Sequence, residues 1–298
     1  MDFLPLGFQE TVQKTWPKSG EKWLLELPDL LKTLANKWSL RDIEPFRNLS
    51  YHFVAKASQE GGASVVLKIG CDPQVSLNEY RALKHFSGAG SIQVLDYDEA
   101  NCALLLERAL PGISLNALES KELAILAYAK VVQSISLQPR PDEDFPHVRT
   151  WLEAIDQIHD PRIKHTWIQK AQYLKQSLLS SSEKEYLCHG DLHFDNVISH
   201  QDHCVAIDPK GMIGEMAFEA SAFDLMSTEE MENPNFDAVI LLDRIHQLAT
   251  LLKLNPERLL GWIFLRIMLS IQWSIEDRGD PSRMIKWGER IFGCMYCD

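Results

Sequence analysis

The amino-acid sequence points to an α+β chain in two lobes, a β-rich first lobe with helices ahead of it and a mainly helical second lobe carrying one hairpin. Three observations lead there. Apolar residues recur at helical steps over the first forty positions. Short β-rich runs separated by turn signals fill roughly positions 50–107. Helical periodicity then dominates everything beyond Gly112, apart from one strand pair near Asn196 and Asp208.

Trp16, Trp23, Leu24, Leu27, Leu30, Leu31 and Leu34 step by threes and fours, with Pro17 and Pro28 as breaks or first-turn positions. Runs 50–57 and 63–69 flank Gln59-Glu60-Gly61-Gly62 and predict a hairpin. Residues 73–86 read as a helix closed by Gly88. Strands are expected over 92–97 and 102–107, and Pro111-Gly112 marks a break, which divides the chain into 1–107 and 108–298. Beyond it, helices are expected over 116–137, 148–159, 162–179, 236–252 and 256–275, with a last one near 282–294. The island 196–199 and 204–208, joined by His200-Gln201-Asp202-His203, predicts a second hairpin.

Composition narrows the function. Among 298 residues, 42 acidic against 30 basic give a formal net charge of −12. That balance argues against nucleic-acid binding, which needs clustered Lys and Arg. It suits a cationic small-molecule partner and a plain solubilising surface alike. The first residues lack a basic segment followed by an apolar one, as a secretory signal would have. The best membrane candidate, 259–275, is short and interrupted by Arg266 and Gln272, so a buried helix and no membrane are expected. Six scattered cysteines suggest a reducing cytoplasm. Cys294-x-x-Cys297 has no second pair to complete a zinc site.

The chemistry concentrates in Cys-His-Gly-Asp-Leu-His-Phe-Asp-Asn, residues 188–196, followed by Asp208 within Val-Ala-Ile-Asp-Pro-Lys. Asp191 and Asn196 are separated by four residues, and a short apolar hairpin leads to the second Asp. Phosphoryl transfer from a nucleotide calls for this set: one carboxylate to take the acceptor hydroxyl's proton, and an amide oxygen with another carboxylate for magnesium. Asp191 is the expected catalytic carboxylate, with Asn196 and Asp208 as metal ligands. Antiparallel pairing brings those two to one end of the hairpin. Asp195 points the other way if Asn196 faces the metal. His189 and His193 are expected to hold the loop; the competing reading makes His189, Asp191 and His193 a metallohydrolase cluster. Lys68, a lone cation in the apolar strand Val65-Val66-Leu67-Lys68-Ile69, needs an anionic mate, and Glu79 in the following helix is the natural one.

In these residues the chain resembles the protein-kinase-like superfamily in its aminoglycoside phosphotransferase branch. More narrowly it is similar to the streptomycin 6-kinase-type (aminoglycoside/hydroxyurea resistance kinase) family. Leu104-Leu105-Leu106-Glu107-Arg108 with Pro111-Gly112, His189-Gly190-Asp191-Leu192-His193, and Ala206-Ile207-Asp208-Pro209-Lys210 leading to Gly214-Glu215 carry the resemblance. It implies a two-lobed protein-kinase-like fold, with ATP and Mg2+ as cofactors and a hydroxylated, cationic small molecule as acceptor. It puts Lys68 on the α- and β-phosphates, fixed by Glu79, and makes Leu105, Leu106 and Glu107 the hinge that reads adenine. Lys210 and Glu215 fall beside the active site, and the acidic run Glu215, Glu219, Asp224, Glu229, Glu230 and Glu232 reads equally as an acceptor lining or as a solvated helix face. The segment Phe46-Arg47-Asn48-Leu49-Ser50-Tyr51 stands where a protein kinase has a glycine-rich loop, and Ser50 is its candidate phosphate contact. A nucleotide-binding module with little catalysis is the alternative that this glycine-poor loop leaves open.

Overall fold

Alternating burial along residues 53–69 sets the first sheet. The structure, a computed structural model, describes residues 4–139, 144–182, 184–222 and 224–296. The chain divides into two compact units between Gly112 and Ile113.

In the first unit, helices α1 (Leu6–Thr15) and α2 (Gly20–Lys37) precede strands β1 (Leu40–Pro45), β2 (Phe53–Gln59), β3 (Ser64–Ile69), β4 (Val94–Asp98) and β5 (Ala103–Glu107). The strands form an antiparallel sheet in the order β1-β2-β3-β5-β4. Phe53, Ala55, Ala57, Val65, Leu67 and Ile69 share one core with Phe8, Val12, Leu24, Leu27 and Leu34 of the helices. Helix α2 runs through Pro28 instead of breaking there. The missing N–H forfeits one helical bond, and burial of Leu24, Leu27 and Leu34 outweighs it.

Helix α3 (Pro73–Phe86) starts where Asp72 accepts hydrogen bonds from the N–H groups of Gln74 and Val75, with Pro73 in the first turn. It ends at Ser87, whose left-handed backbone precedes Gly88. Strand β1 was not among the expected strands. A register shift between Arg41 and Glu44, with Asp42 at φ 53°, breaks the alternation that would reveal it.

The division falls within β6 (Pro111–Ser114), and the second unit begins at Ile113. Its helices are α4 (Lys121–Ile135), α5 (Val148–Leu152), α6 (His165–Ser180), α7 (Met216–Ala220), α8 (Thr228–Glu232), α9 (Ala238–Leu252), α10 (Pro256–Glu276) and α11 (Ser282–Cys294). Strands β8 (Val197–His200) and β9 (His203–Ala206) make the expected hairpin, turning through Gln201-Asp202 with Gln201 at φ 53°. Strands β7 (Tyr186–Cys188) and β10 (Met212–Gly214) pair antiparallel on either side of it. At three residues each, they are too short to show a pattern in sequence.

The helix expected from residue 116 begins at Lys121, because Ser120 caps it by accepting from the Leu123 N–H. The one expected over 148–159 is five residues of α5 followed by a 3-10 turn. Helix α10 is long and apolar enough to cross a membrane by length and composition alone, but its most apolar window is 67 % buried inside the protein. It is the central core helix, packed against α6, α7, α9 and α11. Cys294 is buried in α11, and Cys297 lies outside the described residues.

Candidate active site

Strand β7 delivers Cys188 and the chain then turns at Gly190, whose φ is 86°. A Cβ there would stand 3.2 Å from Met212 Cγ and 3.4 Å from Lys210 Cβ, in a backbone conformation that side chains rarely adopt. Glycine therefore lets the loop lie against the segment that follows Asp208. The two stretches are joined further: the His189 carbonyl accepts from the N–H groups of Lys210, at 2.7 Å, and Gly211, at 3.3 Å.

His189 is fully buried. Its Nδ1 accepts from the Asp191 N–H at 3.2 Å, so the proton sits on Nε2, which donates to the Ile207 carbonyl at 2.6 Å. Burial lowers its pKa to about 4. A neutral imidazole with both nitrogens committed holds the loop and does not ligate a metal, which removes the His189, Asp191, His193 metallohydrolase reading.

Asn196 closes a 3-10 turn over Phe194–Asn196. Its Nδ2 donates to the Asp191 carbonyl at 2.8 Å, and its own carbonyl accepts from the Ile207 N–H at 2.9 Å. One residue thus links the Asp191 loop to the chain just before Asp208. With Nδ2 committed to that bond, Oδ1 is the acceptor atom of the amide. Asp208 lies past the end of β9 at φ 63°, a left-handed conformation that Asp tolerates and that is found at functional turns. Asp195 turns elsewhere, as expected, accepting from Ser114 Oγ at 3.0 Å and Asn116 Nδ2 at 3.4 Å.

The Asp191 side chain is 37 % exposed. Oδ1 accepts from Arg266 Nη2 at 3.1 Å, and Lys210 Nζ lies 3.9 Å from Oδ2. Burial pushes this carboxyl's pKa up, but Arg266, then Lys210 and the two histidines, together bring it below the ordinary value. Beneath the loop, buried Glu219 accepts from the Gly190 N–H at 3.2 Å, and burial raises its pKa to about 7. Asp224 accepts from the Phe194 N–H at 2.7 Å. Sequence reasoning missed Arg266, Glu219 and Asp224 as parts of this loop. Arg266 did show as a charge interrupting an apolar helix; the two acids were lost within an acidic run.

In the first unit, Lys68 Nζ donates to Glu79 Oε1 at 2.8 Å, with the side chains 2 % and 4 % exposed. Val65, Leu67 and Ile69 of β3 face the helical core, so Lys68 falls on the opposite face, toward α3. Leu105 and Leu106 lie mid-strand between β3 and β4, so their backbone groups serve the sheet. Glu107 ends the strand, its N–H given to the Gln93 carbonyl. Ser50 sits exposed in the bend before β2.

Lys210 stands next to Asp191, whereas Glu215 faces α10. Both its oxygens accept from Arg258, at 2.7 and 2.6 Å, and Trp262 Nε1 adds a third bond. The proposed acidic lining shrinks accordingly. Glu215, Glu219 and Asp224 are held as described, and Glu230 pairs with Arg244 and caps α8 through the Ser227 N–H. Only Glu229 and Glu232 of that run are exposed.

Among the described residues no three His, Cys, Asp or Glu side chains gather to hold a metal. The amide of Asn196 and the carboxylate of Asp208 are oxygen donors of the kind that a hard cation such as magnesium would take, its shell completed by phosphates and water.

Comparison with known proteins gives the chain a family. The family model for the aminoglycoside/hydroxyurea antibiotic resistance kinases matches residues 37–278. This chain belongs to that family. Among resistance kinases of this kind, it is 23 % identical to the streptomycin 6-kinase of Streptomyces griseus, covering 92 % of this chain and 91 % of that protein. It is 25 % identical to the hydroxyurea phosphotransferase of Kitasatospora aureofaciens, covering 97 % and 86 %. A thermostable mutant of aminoglycoside phosphotransferase APH(4)-Ia, solved with ADP and hygromycin B, shares the fold at a TM-score of 0.63 and 16 % identity, covering 89 % of this chain and 97 % of that one. A choline/ethanolamine kinase family protein from Mesorhizobium loti does so at 0.65 and 12 %, covering 90 % and 95 %. The chain thus has the protein-kinase-like α+β fold expected from its sequence.

Proposed function

We propose that this kinase moves the γ-phosphoryl group of ATP to a hydroxyl of a small polyhydroxylated amine, with streptomycin-like aminoglycosides as the first acceptors to try. The observation that carries the reading is the ionised Asp191 carboxylate, held by Arg266 and bound through Asn196 to the segment of Asp208. Asp191 orients the acceptor hydroxyl and takes its proton, late in a transition state where bond breaking runs ahead. Lys68, its ammonium fixed by Glu79, takes the α- and β-phosphates, and Lys210 neutralises charge beside Asp191. Asn196 and Asp208 would hold magnesium, which when bound neutralises charge on the phosphates. Supply of ATP and the free thiols of Cys71, Cys102, Cys188 and Cys204 favour the cytoplasm.

The test is acceptor-dependent ADP release with Mg2+ and ATP, across streptomycin, other aminoglycosides, hydroxyurea and simple amino alcohols, with phosphorus NMR of the product. Replacing Asp191 by Asn is expected to lower turnover per folded molecule about 10²–10⁴-fold. ADP release that no acceptor stimulates would overturn the activity.

A further inference from the structure

Arg266 sits midway along α10 among Leu265, Ile267, Met268 and Leu269, and is itself only 9 % exposed. Its guanidinium carbon lies 5.6 Å from the Trp151 ring and 5.3 Å from the Phe218 ring. Nη2 donates to the Gly190 carbonyl and to Asp191 Oδ1, while Nη1 is buried with no hydrogen-bond partner. A buried charge is costly, and an apolar side chain of similar volume often serves a core as well or better. Packing alone therefore does not account for an arginine here. What it adds is a fixed cation, held between two rings and gripping one peptide and one carboxylate oxygen of the catalytic loop.

We infer that Arg266 is a positioning residue: by holding the Gly190 carbonyl and Asp191 Oδ1 together, it reserves Oδ2, the oxygen on the Lys210 side, for the acceptor hydroxyl. The inference rests on the activity proposed above. Arg266 acts through Asp191, because its Nη2 is engaged by the Gly190 carbonyl and Asp191 Oδ1. Glu219 grips the Gly190 N–H from below, so loss of Arg266 frees the Asp191 side chain without releasing the whole loop.

The experiment compares the full-length wild type with Arg266→Met and Arg266→Lys, measuring kcat, both KM values, Mg-ATP binding and melting temperature. Methionine keeps the apolar packing between Trp151 and Phe218. Its kcat is expected to fall about 10- to 100-fold, the effect of misplacing a reacting group by about 1 Å, with the KM for ATP unchanged. Lysine keeps the charge but lacks the planar fork, so its kcat should lie between methionine and wild type. A methionine variant whose kcat per folded molecule equals wild type overturns the inference, whatever its stability. If that variant does not fold, a lysine variant with wild-type kcat overturns it equally. Failure of the activity itself looks different: the wild type then turns over none of the acceptors.

Discussion

His189 and Glu219 impose opposite pH dependences on one loop. Buried His189 is neutral down to about pH 4, whereas an unfolded histidine is protonated below about 6.5. Between those values the unfolded chain holds the extra proton, so stability rises with pH. Glu219, raised to about 7 from 4.5, keeps its proton in the folded chain where the unfolded chain has lost it, so stability falls with pH from about 4.5 to about 7. The windows overlap and the contributions largely cancel. Glu219→Gln keeps an oxygen for the Gly190 N–H and removes one of the two. Its melting temperature is expected to climb more steeply than wild type between pH 4.5 and 6.5, and to exceed wild type at pH 8. Parallel melting curves for the two proteins across that range would refute the raised carboxyl. Neither effect was visible in the sequence, where His189 reads as a loop residue and Glu219 as one of six acids. That Asp191, Asn196 and the segment of Asp208 would come together was legible because their spacing is fixed by a tight loop and a short hairpin. Burial and charge pairing depend on partners such as Ile207, Gly190 and Arg266, which the linear order does not announce.

Helix α11 shows packing overriding propensity. Gly288 lies mid-helix, where alanine is ordinarily better by about 0.5–1 kcal/mol. A Cβ at this position would sit 2.7 Å from Trp167 Cζ3 and 3.1 Å from its Cη2. Trp167 is 2 % exposed and wedged by the rings of Phe264 and Phe292, whose centroids lie 6.2 and 5.6 Å away, so it has little room to yield. Overpacking of this kind costs about 1–3 kcal/mol, more than the propensity gain. Gly288→Ala is therefore expected to lower the urea midpoint, and a raised midpoint would show that the tryptophan can move. The same contrast explains which parts of the fold the sequence disclosed. Long periodic helices such as α10, and the β2–β3 hairpin with its Gly61-Gly62 turn, carry their pattern over enough residues to read. Strand β1 is bulged, β7 and β10 are three residues each, and α4 starts at a Ser120 cap that competes with an earlier start.

The helices ahead of the family match bear on the stability of the entire chain. The match begins at residue 37, leaving α1 and nearly all of α2 before it. Yet Phe8, Val12, Leu24, Leu27 and Leu34 are each at most 1 % exposed and pack in the core shared with Phe53, Ala55, Val65 and Leu67 of the sheet. Burying side chains of this size is worth about 1.5–3 kcal/mol each, so the five together contribute on the order of 10 kcal/mol. That is comparable to the net stability of an ordinary domain, about 5–15 kcal/mol. A chain beginning at Trp38 would keep every residue assigned to chemistry and lose the cover of one sheet face. It is expected to aggregate or to bind a hydrophobic dye, and to show no Mg-ATP-dependent thermal shift. A paired substitution separates this packing from any general sensitivity of α2. Leu27→Ala, at a fully buried position, is expected to cost about 2–5 kcal/mol in urea unfolding. Leu25→Ala, two residues away and 60 % exposed, should change stability by less than about 0.5 kcal/mol. Equal effects of the two, or a soluble truncated chain that binds Mg-ATP like the full protein, would mean that the sheet holds without its helices.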